Sequence, residues 1–424
     1  MYRFAERAYP LCRSLTGDGV RETLGLIQET LPLEIHEVPT GTPVLDWTVP
    51  KEWNLKRAWI KGPGGEILVD SRDHNLHVLG YSVPVRQKLS LEDLQEHLYS
   101  LEEQPDVIPY RTSYYRENWG FCLPHRLRET LPEGEYEVCV EATLDHGSLT
   151  YGEFFLPGES QQEVLLSTHC CHPSLANDNL SGLAVVSRLA AALGTVSRRR
   201  YSYRFVFVPG TIGSITWLAK NEDTTARVSH GLVAANLGDS GPFHYKKSRQ
   251  GDAEIDRVVS LVLRESGRDY GVEDFVPFGY DERQYCSPGF DLPVGSLTRT
   301  PYGRYAEYHT SRDDLSLVQP KFLAGSLRTY LEVMAVLEGN TRALNLNPKG
   351  EPQLGRRGLY RAVGGEGSRE RELALLWVLN LSDGSHSLLD VAERSGIPFA
   401  TVRASADALL AAGLLRNLDP PEEV

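Results

Sequence analysis

Short apolar runs alternate with helical patterns through the middle of the chain. An apolar run at 164–168 is followed by a polar loop and by small and apolar residues at helical spacing over 182–193. Two further apolar runs lie at 203–208 and 231–237, with a helical stretch at 215–218 between them. Strands that alternate with helices are typical of a doubly wound α/β sheet with parallel strands. We predict this fold for the core of the chain.

The segments on either side of this core have different patterns. Residues 41–156 contain short strand-like pieces, the last at 148–155, separated by Gly, Pro and Asp turns. They predict a β-rich domain inserted into a core made of residues 1–40 and 157–345. A linker rich in Gly, Pro and Arg follows. Three helical patterns within residues 366–424 then resemble a winged helix-turn-helix.

Composition and charge are those of an ordinary globular protein. Of the 424 residues, 41% are hydrophobic and 24% are charged, and the formal net charge of −13 disfavours binding to nucleic acid or to an anionic membrane. The chain starts without an apolar targeting segment and has no run of about 18 apolar residues, so we expect a cytoplasmic protein. Six cysteines are too few for a disulfide framework, and we expect free thiols.

The C-terminal segment carries little positive charge for a module that binds nucleic acid. Between residues 369 and 418, five arginines are outnumbered by six acidic residues, so phosphate contacts would be few. We therefore expect the winged helix to serve docking or homo-oligomerisation in preference to DNA binding.

Candidate metal ligands follow the predicted strands, at the sheet edge where the functional loops of α/β folds gather. His169, His172, Asp178 and Asp239 follow the predicted strands in this way, and His309 would join them from the last strand or loop. Mixed imidazole and carboxylate ligands suit Zn²⁺, and a bridging carboxylate would allow two ions about 3.5–4 Å apart. Because such ions activate water and polarise a carbonyl, we predict a metal-dependent amide hydrolase with one or two zinc ions.

Other polar residues are candidates for substrate binding. Arg283 and Tyr285 belong to a dense polar cluster suited to a substrate carboxylate or α-amine, and the alternative is a solvated loop. Lys247 and Arg249 could bind an anionic group, although a basic run after a strand is more often a solvated face. No nucleophile elbow or phosphate-binding motif follows the predicted strands, which argues against a serine hydrolase and against a nucleotide cofactor.

Several stretches of the chain match one family. They are residues 10–17, 46–50, 172–182, 238–239, 281–289 and 308–311. On these residues the chain resembles, over essentially its whole length, the aminopeptidase-like family with an M28-type zinc-peptidase fold, an inserted domain of unknown function and a C-terminal winged helix. The resemblance implies a mixed sheet of the zinc-aminopeptidase type. It makes Asp178 the bridging carboxylate and His309 a ligand of one metal, with Asp239 and either His172, which we favour, or His169 on the other.

One position departs from that family's pattern. Where the family resembles Pro-Glu-Thr-Ile-Gly-Ser, this chain has glycine at Gly210, which lacks a side chain to act as general base or metal ligand. Three interpretations are open: Glu282 or Glu307 acts instead, the site binds metal and ligand without turnover, or the glycine is an engineered replacement.

Two hypotheses follow. The first is a zinc-dependent aminopeptidase-like hydrolase that cleaves an amide bond in a small or modified peptide-like substrate. The second is a catalytically impaired metal-binding scaffold or interaction protein.

Overall fold

The computed structural model describes residues 1–360 and 366–418. Its helices are α1 (Tyr2–Ala8), α2 (Asp18–Gln28), α3 (Leu91–Gln95), α4 (His125–Glu129), α5 (Gly182–Gly194), α6 (Ile212–Lys220), α7 (Glu222–Thr225), α8 (Glu254–Glu265), α9 (Glu282–Tyr285), α10 (Pro320–Gly339), α11 (Glu366–Leu381), α12 (Leu388–Ser395) and α13 (Phe399–Ala411). Its strands are β1 (Glu34–Pro39), β2 (Pro43–Val44), β3 (Trp47–Thr48), β4 (Glu52–Lys61), β5 (Ile67–Asp70), β6 (Val85–Ser90), β7 (Leu98–Tyr99), β8 (Phe121–Cys122), β9 (Glu135–Asp145), β10 (Ser148–Leu156), β11 (Glu163–His169), β12 (Ser202–Val208), β13 (Val228–Ala234), β14 (Phe243–Lys246), β15 (Tyr270–Glu273), β16 (Val294–Thr298), β17 (Arg342–Asn345), β18 (Asp383–Ser387) and β19 (Leu415–Asn417).

An eight-stranded mixed sheet forms the centre of the molecule. Its strand order is β1-β10-β12-β11-β13-β16-β14-β15. The four central strands are parallel, whereas β10 and β14 run antiparallel to their central neighbours. Every residue of β11 and β12 is buried, as expected for parallel strands covered on both faces. The predicted doubly wound mixed α/β fold is thus confirmed.

Alternation along the central strands divides the core into two layers. On one face, Leu166 and Phe205 pack with α5, α8 and α10. On the other, Leu165 and Val206 pack with α6 and with part of the inserted segment. Since successive side chains of a strand point to opposite faces, each apolar run contributes to both layers.

The inserted segment forms a separate antiparallel sheet in the order β5-β4-β9-β6. Strand β10, which the sequence pattern assigned to this segment, belongs instead to the large sheet, where it pairs with β1 and β12. Neighbouring strands β9 and β10 have similar patterns of hydrophobic and polar residues, and only their long-range pairing shows which sheet each strand joins.

The winged helix comprises α11, α12 and α13 with the small sheet β18-β17-β19. Strand β17 was assigned to the core by pattern, but it is the central strand of this small sheet. Its four residues follow α10 directly and carry no signal for their partners. The module packs on the core through Arg257, which pairs with Asp390 and Glu393, and through the buried Phe399.

Two other expectations concern the whole chain. All six cysteines are free. Among the described residues, no helix combines the length and the apolar character needed to cross a membrane.

Candidate metal centre

The candidate centre lies where β11 and β13 end. His169 is the last residue of β11, and Asp178 lies in the buried turn Ala176–Ser181 that leads into α5. Asp239 follows β13, and His309 comes from the loop before α10. The carboxyl ends of parallel strands meet at one edge of a sheet, so residues distant in sequence converge here.

Asp178 is the centre of this group. Its Oδ1 lies 2.7 Å from His169 Nε2, and its Oδ2 lies 3.0 Å from His309 Nε2 and 4.0 Å from His172 Nε2. Burial acts to raise the pKa of Asp178, but the three histidines outweigh it and hold that pKa well below its usual range. The carboxylate is therefore ionised and faces imidazoles on both sides.

This geometry bears on the choice between His169 and His172. The two rings lie 5.1 Å apart and approach different oxygens of Asp178. Ligand atoms of His169, His172 and Asp178 all lie within 4.8 Å of one another. Either histidine can thus contribute beside Asp178 without displacing the other.

His172 is held rigidly from several directions. Its Nδ1 lies 3.0 Å from Cys171 Sγ, which also accepts the backbone N–H of Gly210. Arg13 donates to its carbonyl oxygen, and the Tyr110 ring packs 4.9 Å away. Burial lowers the pKa of His172 to about 3, so the ring is neutral and can offer a lone pair to a cation.

Asp239 lies outside the three-residue group. One of its oxygens accepts from Thr300 Oγ1 and from the backbone N–H of Gly241, both at 2.7 Å. The other accepts from Asn177 Nδ2 at 3.0 Å. Because Asn177 precedes Asp178, Asp239 is linked to the centre through this amide, and its role as a ligand stays a prediction.

Asp313 was missed by the sequence analysis. It is fully buried, and its carboxylate accepts the backbone N–H groups of Asn177 at 2.5 Å and Asp178 at 3.0 Å. Burial raises its pKa to about 8, although the hydrogen bond from Asn177 acts in the opposite direction. Asp313 thereby holds the turn that presents Asp178. The sequence contains no signal that distinguishes it from Asp314.

Aromatic side chains that were also missed surround the centre. The Tyr280 hydroxyl donates to Asp178 Oδ2 at 2.8 Å, and its ring stacks on His169 at 4.5 Å. Tyr308 stacks on His309 at 3.9 Å, and Tyr110 lies edge-on to the same ring at 5.0 Å. These contacts fix the imidazole planes.

Gly210 lies beside the centre. A Cβ atom at this position would be 3.3 Å from His169 Cβ and 3.7 Å from Cys171 Sγ. A longer side chain at position 210 would therefore start next to a candidate ligand. The residue that this chain lacks is one that could reach the metal-binding group.

The two proposed substitutes lie in different surroundings. Glu282 is fully buried and forms an ion pair with Lys246, and Glu307 is half-buried in the loop that carries His309. A third carboxylate, Asp281, was not considered as a substitute. It is buried, accepts from Ser214 Oγ at 3.0 Å and has no hydrogen-bond partner on Oδ2 within the described chain. Burial raises the pKa of Asp281 to about 6.

The predicted substrate-binding residues are not gathered in one place. Tyr285 is fully buried against Trp217 and donates to Ser167, so its assignment to substrate binding is wrong and it belongs to the core. Residues Lys247 and Arg249 form surface ion pairs, with Asp274 and Asp291 respectively. The remaining candidate, Arg283, is half-buried on α9.

Comparison with known families places the chain. A model for a domain of unknown function (DUF4910) matches residues 2–340, and a winged helix-turn-helix model matches residues 341–417. The chain belongs to the DUF4910 family. The second match starts at the residue before β17, in agreement with the pairing of that strand.

Relatives of this DUF4910 chain connect it to peptidases. A curated protein of Clostridium acetobutylicum is 50% identical over 98% of this chain and 96% of its own length. Its name assigns it provisionally to polysaccharide biosynthesis, with an aminopeptidase-like domain. A crystal structure from the same organism, provisionally described as a peptidase, has a TM-score of 0.94 at 49% identity, covering 98% of this chain and 96% of that one.

More distant structures share the fold. A peptidase M28 precursor of Shewanella amazonensis has a TM-score of 0.57 at 15% identity, over 80% of this chain and 92% of that one. A zinc aminopeptidase of Bacillus subtilis has a TM-score of 0.56 at 11% identity, over 79% and 94%. The M28-type fold expected from the sequence motifs is confirmed.

Proposed function

We propose that this protein is a metal-dependent hydrolase of the aminopeptidase type that cleaves an amide bond. The observation that carries the proposal is the ionised Asp178, with His169 at one oxygen and His309 and His172 at the other. Imidazoles around a carboxylate are a donor set that suits Zn²⁺. A carboxylate approached from both sides is also the arrangement that two ions would share.

The surrounding residues have separate tasks in this proposal. His169, His172 and His309 would hold zinc with Asp178, and Asp239 would join them if its Asn177 contact opened. Bound zinc would polarise the amide carbonyl and make water a better nucleophile. Tyr280 orients Asp178 through its hydroxyl, and Asp281 has a free oxygen and a pKa suited to holding a proton near neutral pH.

The decisive experiment restores the missing carboxylate. Gly210→Glu would be compared with Gly210→Gln, which has nearly the same shape without the charge, in hydrolysis of aminoacyl and N-acyl amides with added Zn²⁺. A general base contributes roughly 10²–10⁴-fold in rate, so Gly210→Glu should exceed Gly210→Gln by that order if the glycine removed it. Equal rates in both variants, with an active wild type, would show that another group serves as base.

The second candidate function is a metal-binding scaffold without turnover. Gly210 favours it, because the side chain that would lie next to His169 is absent. The scaffold would be supported if the wild type retained near-stoichiometric zinc without amide hydrolysis and Gly210→Glu gained hydrolysis. If neither the wild type nor Gly210→Glu bound zinc, both the hydrolase and the metal-binding scaffold would be refuted.

The substrate is proposed to be small or modified. The name of the Clostridium relative refers to polysaccharide biosynthesis, which is consistent with a modified amide and not with a long polypeptide. Ready cleavage of denatured proteins by the zinc-loaded enzyme would contradict this.

The winged helix is proposed to dock or to form homo-oligomers and not to bind DNA. The first turn of α13 faces the core: the Phe399 N–H donates to Glu265 Oε1 at 3.0 Å, and Arg403 in the following turn donates to the carbonyl of Gly339 at 2.6 Å. This turn would have to enter a DNA groove in the usual helix-turn-helix arrangement. Sedimentation analysis tests the oligomer, and salt-dependent DNA binding would contradict the proposal.

A cytoplasmic location is also proposed, since buried free thiols persist most readily in a reducing compartment. Cell fractionation with an antibody to the protein would test it.

A further inference from the structure

A cavity of about 250 Å³ opens at the end of the large sheet formed by β16, β14 and β15. In these strands Tyr245 and Leu297 point into the core beneath α8. Because successive side chains alternate, His244, Lys246 and Ser296 point to the opposite face and form the cavity floor.

The cavity lies next to the candidate metal centre. Its wall includes Tyr302, whose ring lies edge-on to that of Tyr280 at 5.3 Å. Tyr280 in turn donates to Asp178 Oδ2. The cavity and the carboxylate are therefore close neighbours, with one pair of aromatic rings between them.

The charged groups at the cavity neutralise one another. Lys246 forms an ion pair with the buried Glu282 and donates to the carbonyl of Phe278 at 2.7 Å. Arg304 pairs with Glu273 through both terminal nitrogens. Two cations and two carboxylates leave no excess of either sign, which disfavours an ionic ligand.

The uncharged groups suit a polar ring. Phe278 is an apolar residue that is nonetheless 67% exposed. Its ring centroid lies 6.2 Å from that of Tyr302. Ser296 lines the same cavity, and its hydroxyl makes no hydrogen bond with any other described residue. Within one cavity, an exposed aromatic face and an unused hydroxyl provide stacking for a ring and hydrogen bonding for its hydroxyl groups.

We infer that this cavity binds a neutral, hydroxylated ring, so that the substrate's amide is attached to a sugar unit. The role of the cavity as part of a substrate site rests on the proposed amide hydrolysis. Binding of the sugar itself does not require turnover. Pockets that recognise such ligands place a few polar groups among aromatic ones, as here.

The test measures binding of methyl glucoside and N-acetylglucosamine to the metal-free full-length protein by saturation-transfer NMR and calorimetry. Two variants remove the proposed contacts, Phe278→Ala and Ser296→Val. Tyr270→Ala is the matched control, because Tyr270 is a 42% exposed aromatic residue on the other face of β15. Saturable binding that weakens about 2- to 10-fold in both variants, with the control unchanged, is expected.

Three outcomes would overturn the inference: no saturable binding of either sugar, equal weakening in the control, or preferential binding of acetate or phosphate over the sugars. Hydrolysis is assayed separately on the zinc-loaded protein. Sugar binding without any amide cleavage would reject the proposed function and keep the subsite, whereas cleavage without sugar binding would reject the subsite alone.

Discussion

Replacing Asp313 tests how the turn that carries Asp178 is held in place. The Asp313 carboxylate accepts N–H groups from three consecutive residues, Ala176, Asn177 and Asp178, within the protein interior. Ala176 also donates to the Asp313 backbone carbonyl at 2.8 Å, so it keeps an acceptor when the side chain is removed. Asn177 and Asp178 lose theirs.

The magnitude follows from these contacts. A buried N–H group without an acceptor costs about 1–3 kcal/mol, so Asp313→Ala should destabilise the protein by about 2–6 kcal/mol. Asp313→Asn keeps one oxygen for Asn177 but turns an amide NH₂ toward the Asp178 N–H, and it should cost about 1–3 kcal/mol. Because the turn positions a candidate ligand, zinc affinity should also fall, by about 10- to 100-fold as for other residues that orient ligands.

Urea unfolding of the metal-free protein measures the first effect, and competition with a zinc chelator measures the second. Asp314→Asn is the control, since it makes the same chemical change one residue away and keeps the Asp314 Oδ1 acceptor for the Ser316 N–H. If Asp313→Asn and Asp314→Asn had equal unfolding free energies and zinc affinities, the proposed hold on the turn would be incorrect.

Three further expectations concern other parts of the molecule. Asp178→Asn should weaken zinc binding at least ~100-fold, and Asp239→Asn should weaken it much less because Asp239 already accepts from three donors, which zinc analysis after dialysis would check. Burial lowers the pKa of His230 from 6.5 to about 4, so the unfolded chain binds this proton first. Stability should therefore fall as pH drops from about 6.5 to 4, by up to roughly 3 kcal/mol, and His230→Gln should flatten that part of the urea-unfolding profile. Arg257→Ala should loosen the winged helix by at most about 1 kcal/mol, because its ion pairs are partly exposed, and limited proteolysis should cut near residue 345 faster than in the wild type.

The fold was predictable where a pattern reports local structure. The buried runs that became β11, β12 and β13 were recognised because parallel strands covered on both faces are continuously apolar. Partners of β10 and β17 were not, since pairing depends on residues far away in sequence. Strand β17 has only four residues, of which Ala343 alone is buried.

Some residues of the candidate site could also be predicted from the sequence, and others could not. His169, His172 and Asp178, which the structure brings together, were predicted as neighbours because strand ends are where α/β folds place functional side chains, and His309, in the loop before α10, was indicated by the family resemblance. Asp313 and Tyr280 act on Asp178 from 135 and 102 residues away. An aspartate followed by another aspartate, or one tyrosine among twenty, has nothing in its own surroundings that indicates such a contact.

The structure adds the surroundings of Gly210 to what the motif comparison indicated. Its hypothetical side chain would begin beside His169, whereas Glu282 is paired with Lys246 and lies under the neighbouring cavity. Using Glu282 as the base would break that pair, and Lys246, which lines the cavity, would lose its carboxylate partner. Among the described residues Asp281 has no hydrogen-bond partner on Oδ2, and burial raises its pKa to about 6. If the protein turns over without a glutamate at position 210, Asp281→Asn should therefore reduce the hydrolysis rate more than Glu307→Gln. The opposite order in a steady-state assay would indicate that Glu307, in the loop that carries His309, accepts the proton.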